Sequence, residues 1–404
     1  MPRAEVVDCI RRFNAGREPE RLRLKFQAMR GSAFAFLRGT AHLFWQDWSS
    51  EHESLNDAPF VWVTGDLHLD NVGSFLGDNR LVYFDLNDFD EGALAPATWE
   101  LARFVASVYV GAASLELSAR DATRLASAFL DAYVDALRDG KARWVERATA
   151  IGIVKDLLAA VRGRTREGLL DSRTLIRRGR RTLRIDGKRA LAVGKRERRD
   201  VIEALRRFAR TADDPEFYDV FDVARRVAGM PSLGLHRFVV LVRGDGSPDG
   251  NWLLDLKAAR PSALAPYLKR RQPAWPNEAD RIVRIQYRMQ AISPALLHAV
   301  SMRRRYFVLR ELQPSQDRLA LEHWHGKLEQ LREVMVTIGH LVAWAQLRSS
   351  SRDGSAPIDD LIEFAHRKSW RRELLRSARK CAATVRRDWQ AFRRTPEETL
   401  MTNP

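Results

Sequence analysis

The segment most informative about the fold is Thr64-Gly-Asp-Leu-His-Leu-Asp-Asn71. It is followed by the apolar run Leu81-Val-Tyr-Phe84 and by the acidic segment Asp85-Leu-Asn-Asp-Phe-Asp-Glu91. The apolar residues 60–64 predict a short buried strand that stops at Gly65, and residues 81–84 predict a second strand that ends in Asp85. Asn71 follows Asp66 by five residues, and Asp85 follows Asp66 by 19. One loop therefore carries a carboxylate and an amide, and the strand after it delivers a second carboxylate.

These groups are the ones that phosphoryl transfer requires. One carboxylate accepts the proton of the attacking hydroxyl, while an amide and a second carboxylate hold Mg²⁺ on the phosphates. We therefore predict Asp66 as the base, and Asn71 and Asp85 as metal ligands. Asp88 is an alternative ligand, because the acidic run continues past Asp85. An acidic turn alone is more often a helix cap, and it is the spacing in the preceding loop that favours a metal site.

The loop Gly65-Asp-Leu-His-Leu-Asp-Asn71 resembles the catalytic loop of aminoglycoside phosphotransferases and choline kinases, which belong to the protein-kinase-like superfamily. The resemblance implies the same roles for Asp66, Asn71 and Asp85, and it adds His68 as a supporting residue of the catalytic loop. Trp99-Glu-Leu-Ala-Arg103 resembles the Asp-Leu-Ala helix that follows in those enzymes. Because Glu100 stands where the family has Asp, we expect this helix to support the loop less well.

The whole chain resembles a bacterial domain-of-unknown-function family, number 2252. The resemblance rests on Phe34-Ala-Phe-Leu-Arg-Gly39, the Gly-Asp-Leu-His loop, Asn87-Asp-Phe-Asp-Glu91 and Leu254-Asp-Leu-Lys-Ala-Ala259. These segments are spread over most of the sequence. The family name implies no activity, so the expected function depends on the kinase-like loop.

A kinase also needs a lobe that binds ATP, with a glycine-rich turn and a lysine on a strand. Here the candidate lies after the catalytic loop: residues 227–234 form the turn, and predicted strands follow at 236–242 and 252–256, with Lys257 at the end of the second. Gly229 and Gly234 match the outer glycines of Gly-x-Gly-x-x-Gly. Pro231 replaces the middle one and has no N–H to offer a phosphate, whereas Ser232 offers a hydroxyl. We predict that Gly229, Ser232, Gly234 and Lys257 bind ATP.

Two later segments extend the resemblance. Residues 306–313, which include Glu311, resemble the strand and hinge that bind adenine, and residues 338–346 resemble the helix that normally precedes the catalytic loop. The helix predicted at 281–290 has no Glu for the usual pair with the strand lysine. Glu278 and Asp280 stand at its start, so the partner of Lys257 stays open.

The order of these parts predicts a circularly permuted, two-lobed, protein-kinase-like fold of the α+β class. Residues 1–160 would carry the catalytic loop, 161–315 a basic segment and an antiparallel nucleotide-binding β lobe, and 316–404 helices that complete a mostly helical lobe. Residues 182–191 predict a hairpin that turns at Asp186-Gly187. Helix 335–346 is expected beside strand 60–64, and Lys257 is expected near Asp85 across the cleft.

Positive charge is concentrated in one part of the chain. The formal net charge is +16, and residues 161–210 contain 18 Lys and Arg against 6 Asp and Glu. Such a patch attracts phosphates of nucleic acid or of small anions, and a solvated basic surface is an equal reading. No apolar run approaches the ~20 residues of a membrane span, and two cysteines make no disulfide framework. We expect a cytoplasmic protein with no membrane partner.

Three alternatives to a Mg-ATP-dependent phosphotransferase stay open. Asp66-x-His68 is a way for a two-metal phosphoesterase to begin, although no Gly-Asn-His follows. A nucleic-acid-binding protein would use the basic segment, and a pseudokinase would bind nucleotide without transfer. The acceptor is a small molecule or a protein with a hydroxyl group that the sequence does not identify, and AMP transfer is an alternative to phosphoryl transfer.

Overall fold

Helices occupy both ends of the chain, and most strands lie in its middle. A computed structural model describes residues 3–401 except 230, 231, 315, 316 and 325. Its helices are α1 Arg3–Asn14, α2 Pro19–Gly31, α3 Ala33–Gly39, α4 Ala41–Glu51, α5 Ala97–Gly111, α6 Ala119–Asp139, α7 Gly152–Val161, α8 Arg166–Arg173, α9 Lys195–Ala209, α10 Glu278–Met289, α11 Leu328–Arg348, α12 Ile358–His366, α13 Ser369–Arg393 and α14 Glu397–Met401. Its strands are β1 Phe60–Val63, β2 Val72–Leu76, β3 Val82–Leu86, β4 Ala93–Pro96, β5 Val145–Glu146, β6 Thr174–Arg177, β7 Arg180–Leu183, β8 Ala190–Leu191, β9 Val220–Arg226, β10 Arg237–Val242, β11 Trp252–Ala258, β12 His298–Met302, β13 Arg305–Glu311 and β14 Asp317–Arg318.

The helices from the two chain ends build one body with a common apolar core. Every residue of α5 is buried, and this helix packs against α13, while α6 packs against α11. Helix α6 shows why such segments form: Ser118 caps its N-terminus, Gly140 ends it with a left-handed backbone, and its apolar residues share one face. Helix α11 also contacts β1, which confirms the predicted packing of residues 335–346 beside residues 60–64.

The middle of the chain forms an antiparallel sheet of six strands in the order β12-β13-β11-β10-β9-β8. Helix α10 connects β11 to β12 along the chain and packs against β12 and β13. In the register of β10 and β11, Arg237 lies opposite Lys257. All strand pairs in the described residues are antiparallel, which confirms the α+β class with antiparallel sheets.

Two smaller sheets place the catalytic-loop candidate. Strand β1 leads into the loop and pairs with β4, and β2 leaves the loop and pairs with β3. The sheet of β2 and β3 is extended by β14 on one side and by β5 on the other. Residues 64–71 and 87–92 are therefore connections that leave strands at the same place in the fold, and they lie side by side.

The structure corrects the hairpin predicted at residues 182–191. The hairpin is formed by β6 and β7 and turns at Arg178 and Gly179, while β8 pairs with β9 instead. The Asp186 carboxylate does accept three backbone N–H groups, from residues 188, 189 and 190, so the turn itself is present. It connects β7 and β8, which belong to different sheets.

None of the helices in the described ranges is long and apolar enough to cross a membrane.

Candidate active site

A cleft of about 880 Å³ lies between the helical body and the six-stranded sheet. Its described lining comes from α1, α2, the loops at 64–71 and 87–91, the turn before β10, the strands β11 and β13, and the segment 260–267. The lining includes eleven Lys and Arg side chains and six Asp and Glu side chains among the described residues. A cleft of this charge suits a polyanionic ligand that also brings cations.

The loop of residues 64–71 has a fixed shape. Gly65 has a φ of +78°, and a Cβ there would lie 2.0 Å from the backbone oxygen of Glu91, so only glycine lets the two loops approach this closely. The indole N–H of Trp45 donates to the Gly65 oxygen at 3.0 Å. The Asn71 side-chain amide donates to the Asp66 backbone oxygen at 2.7 Å. The loop therefore presents Asp66 and Asn71 together in the cleft, as the sequence predicted.

Asp66 is held by an arginine that the sequence did not identify as a partner. Its Oδ1 accepts from Nε and Nη2 of Arg103 at 2.9 and 2.6 Å, and the Arg103 side chain is fully buried. Burial raises the pKa of Asp66 to about 6, although Arg103 acts in the opposite direction. A carboxyl group whose pKa lies just below neutral pH is suited to general-base catalysis.

Glu100 supports the loop rather than weakening it. Its Oε1 accepts the Thr64 backbone N–H at 2.6 Å and also binds the Thr64 hydroxyl. The Glu100 carboxylate thus reaches the backbone of the loop directly, and the expectation that Glu supports the loop less well than Asp stays a prediction. Burial raises the pKa of Glu100 to about 7, so the carboxyl group is partly protonated at neutral pH.

We expect the Glu100→Gln variant to be more stable than the wild type at pH 8 and similar to it at pH 5. The folded protein binds the Glu100 proton more tightly than the unfolded chain does. The free energy of unfolding therefore falls as pH rises from about 4.5 towards about 7, by ~1.4 kcal/mol per pH unit. Gln keeps an oxygen for Thr64 and has no charge to bury. Urea unfolding at both pH values measures this, with the exposed Glu398→Gln as the control; identical pH profiles for Glu100→Gln and wild type would contradict it.

The acidic turn after β3 faces the lysine of β11. The Lys257 ammonium lies 2.5 Å from Oδ2 of Asp90 and 3.5 Å from Oδ1 of Asp88, and all three residues line the cleft. These contacts answer the question of the Lys257 partner, since Glu278 at the start of α10 pairs with Arg281 instead. Lys257 is thus bound across the cleft by the acidic turn that follows β3.

Four predicted site residues, Asp85, Glu311, His68 and Gly234, lie outside the described lining of the cleft. Asp85 is buried within β3, where Oδ1 accepts the Leu86 N–H at 2.8 Å and Oδ2 lies 3.6 Å from Arg348. Glu311 is buried and binds Arg80 at 2.9 Å. Nδ1 of His68 accepts the Asp70 N–H at 3.1 Å, and burial holds the pKa of His68 well below its usual range. His68 thus supports the loop from behind as a neutral ring.

The glycine turn before β10 has the backbone that its sequence predicts. Gly229 and Gly234 have φ values of +73° and +85°, in the left-handed region that favours glycine. The Ser232 hydroxyl donates to backbone oxygens of residues 228 and 229 at 3.0 Å. Arg17 of the helical body donates to the Leu233 oxygen at 2.8 Å, which ties the turn to the opposite wall. Pro231 lies outside the described residues.

A charge cluster on the cleft side of the sheet was missed in the sequence. Asp255 is almost fully buried, and its oxygens lie 2.8 Å from Arg226, 2.6 Å from Arg237 and 3.5 Å from Arg310. The three arginines line the cleft beside Lys257. The sequence signal for this cluster was the two-residue spacing of Asp255 and Lys257, which puts both side chains on one face of β11. The sheet thus offers four cations, of which only three share a buried counter-ion.

Helix α10 fixes the acidic turn through its first residues. Arg281 donates to the backbone oxygens of Asp90, Gly92 and Arg260. Arg281 belongs to the helix in which a Glu partner for Lys257 was sought in the sequence. The helix therefore positions the Lys257 partners through their backbone instead of providing a partner itself.

Comparison of the sequence with models of known protein families assigns the chain to a family. The family model described as "Uncharacterized protein conserved in bacteria (DUF2252)" matches residues 17–395. No curated protein and no solved structure matches the chain. The matched range contains both loops, the glycine turn and Lys257, and the sequence resemblance to this family is thereby confirmed. The chain belongs to the bacterial family DUF2252.

Proposed function

We propose that this protein is a Mg-ATP-dependent phosphotransferase that acts on a hydroxyl acceptor. The observation that carries the proposal is the meeting of three predicted parts in one cleft. The Asp66–Asn71 loop, the acidic turn with Asp88 and Asp90, and Lys257 of the sheet all line it. These are the base, the metal ligands and the phosphate-binding lysine that phosphoryl transfer needs.

The sheet supports the nucleotide part of the proposal. Two strands joined by a glycine turn precede the strand with Lys257, a helix follows, and two more strands complete the order. This is the order of parts expected of a kinase-like nucleotide lobe. The cations Arg226, Arg237 and Arg310 beside Lys257 would neutralise phosphates, and the apolar lining residues Val308 and Leu312 provide a wall for adenine.

The described residues fit a magnesium ion that arrives with the nucleotide. Asp88, Asp90 and the Asn71 amide offer hard oxygen ligands in the cleft. The Asn71 amide nitrogen is engaged with Asp66, which leaves the oxygen end for a cation. Mg²⁺ would neutralise the charge that develops on the phosphates. In this proposal Asp88 and Asp90 replace Asp85, which is paired with Arg348 outside the cleft.

The protein groups then account for the proton and the phosphoryl group. The Asp66 carboxylate accepts the proton of the acceptor hydroxyl while the hydroxyl oxygen of the acceptor bonds to the γ-phosphorus. The bond from that phosphorus to the β–γ bridging oxygen breaks at the same time. ADP leaves with the electron pair of that bond. Arg103 holds the Asp66 side chain in position and, by lowering its pKa, favours the ionised carboxylate near neutral pH.

The alternatives gain less support. A two-metal hydrolase needs several clustered ligands, and the described residues hold no group of three His, Cys, Asp or Glu arranged for a metal. In the basic segment, Leu169 and Arg173 of α8 line the cleft, which favours a role at this site over nucleic-acid binding. A pseudokinase would bind Mg-ATP and release no ADP with any acceptor.

We expect Asp90→Asn to weaken binding of Mg-ATP and to strengthen binding of metal-free ATP. The carboxylate repels the phosphates unless a cation lies between them, so its removal should have opposite effects in the two conditions. Calorimetric titration with ATP, with Mg²⁺ or with EDTA, measures both affinities. We expect changes of about tenfold, which correspond to ~1.4 kcal/mol.

The control for this experiment is Asp249→Asn, an exposed carboxylate outside the described lining that pairs with Arg181. It should leave both affinities unchanged. Equal loss of ATP affinity with and without Mg²⁺ in Asp90→Asn would contradict the metal assignment. Tight zinc binding by the purified protein would favour the hydrolase.

A further inference from the structure

The cleft has a second part, lined by α1, α2, α4 and the segment 260–267. We call it the N-terminal chamber, and its main residues are Phe13, Arg17, Lys25, His42, Arg260 and Tyr267. The proposed nucleotide function uses none of these side chains. Basic and aromatic side chains of this kind are nevertheless typical of a ligand-binding site.

Lys25 places a buried amine in this chamber, without a counter-ion among the described residues. The side chain is 1% exposed, and its ammonium donates to the Asn14 amide oxygen at 2.8 Å. An amide is neutral, and no carboxylate within the described ranges forms an ion pair with Lys25. Burial and the nearby Arg17 hold the pKa of Lys25 well below its usual range. A buried ammonium without a counter-ion is costly, and an anionic ligand would remove that cost.

His42 adds a buried polar ring. It lines the cleft and is 7% exposed, and neither ring nitrogen has a hydrogen-bond partner among the residues that the structure describes. Phe13 stacks on the ring with centroids 3.9 Å apart. Buried polar groups are nearly always satisfied, so an unpartnered imidazole on a cavity wall indicates a position for a ligand atom. A neutral imidazole donates one N–H to such an atom.

We infer that the N-terminal chamber binds the acceptor, and that this acceptor is a hydroxyl compound carrying a carboxylate or phosphate group. The inference rests on the proposed phosphotransferase function. The anionic group binds Lys25, Arg17 and Arg260, and His42 donates a hydrogen bond. Lys25 and Asp66 line the same cleft, so one ligand can reach Lys25 with its anionic group and Asp66 with a hydroxyl. Choline and aminoglycosides are cations, and this lining has the opposite charge to the one they require.

The test is calorimetric binding of four probes without nucleotide: gluconate, glycerol 3-phosphate, glycerol and choline. We expect at least one of the two anions to bind, and the stronger of them distinguishes carboxylate from phosphate recognition. Glycerol and choline should not bind. Lys25→Met and Arg260→Gln should each weaken the anion at least tenfold. Arg260 is exposed, so its variant keeps the test valid even if Lys25→Met fails to fold.

Arg120→Gln removes an exposed arginine of α6 outside the described lining, and it should leave anion binding unchanged. The inference is overturned if neither anion binds, if glycerol or choline binds better, or if both variants bind like wild type. Competition between Mg-ATP and the anion would also overturn it, since the cations would then belong to the nucleotide site. Because binding is measured without nucleotide, anion binding with no ADP release from Mg-ATP would reject the phosphotransferase and leave the anion site standing.

Discussion

The Asp66→Asn variant is expected to lose phosphoryl transfer, with ADP release from Mg-ATP falling by about 10²–10⁴-fold. The amide cannot accept the proton of the attacking hydroxyl. It keeps an oxygen for Arg103, whose side chain is fully buried behind the loop, so the fold should survive. Two effects on the free energy of unfolding oppose each other: Asn removes a carboxylate whose burial is unfavourable, and it leaves the buried Arg103 without its counter-ion. Assays therefore belong well below the measured Tm, with water or any accepted hydroxyl compound as acceptor.

The matched control removes the other half of the same ion pair. Arg103→Gln removes the cation of this buried pair but keeps the Asp66 carboxylate. Because Arg103 lowers the pKa of Asp66, its removal raises that pKa, and the pH at which activity appears moves upward. Activity should recover at high pH in Arg103→Gln and at no pH in Asp66→Asn. Wild-type rates in Asp66→Asn would remove Asp66 from the mechanism.

The Lys257→Met variant is expected to bind Mg-ATP about 100-fold more weakly than wild type. A charged hydrogen bond contributes up to ~3 kcal/mol, which is about two orders of magnitude in affinity. Asp88 and Asp90 would also lose the cation that lies between them and the sheet. Calorimetric titration with Mg-ATP measures the effect.

The exposed Lys155→Met on α7 is the control for a general change of charge. It should bind Mg-ATP like wild type. If Lys257→Met also binds Mg-ATP normally, the sheet does not hold the phosphates and the assignment of a nucleotide lobe fails.

The sequence predicted the shape of the loop at residues 64–71 because the information for this loop is local. The strand that stops at Gly65, the five-residue offset to Asn71 and the helix after β4 are all set by neighbouring residues. The sequence predicted that strand β3 ends at Asp85, one residue before its observed end. Strand β3 continues to Leu86, so Asp85 lies inside the ladder opposite Gly73. The acidic residues free to enter the cleft are those beyond the strand.

Contacts between distant segments were harder to predict. Arg103 was recognised as part of a helix, but its role with Asp66 depends on how α5 packs behind the loop. The pairing of β8 with β9, and of Lys257 with the acidic turn, joins segments whose approach only the tertiary fold determines. Local sequence patterns predict turns and the apolar faces of helices and strands. The partners of side chains across a cleft depend on how the whole chain packs.

The joining of both chain ends in one helical body has a consequence for synthesis on the ribosome. The apolar surfaces of α5 and α6 are covered by α13 and α11, which are translated more than 180 residues later. The six-stranded sheet is complete once residue 311 has emerged, so it can fold first. Until α11 and α13 emerge, the nascent helices α5 and α6 expose apolar faces of the kind that chaperones bind. Chains arrested at residue 320 should therefore associate with chaperones through residues 97–139, and release should follow the emergence of residues 328–393.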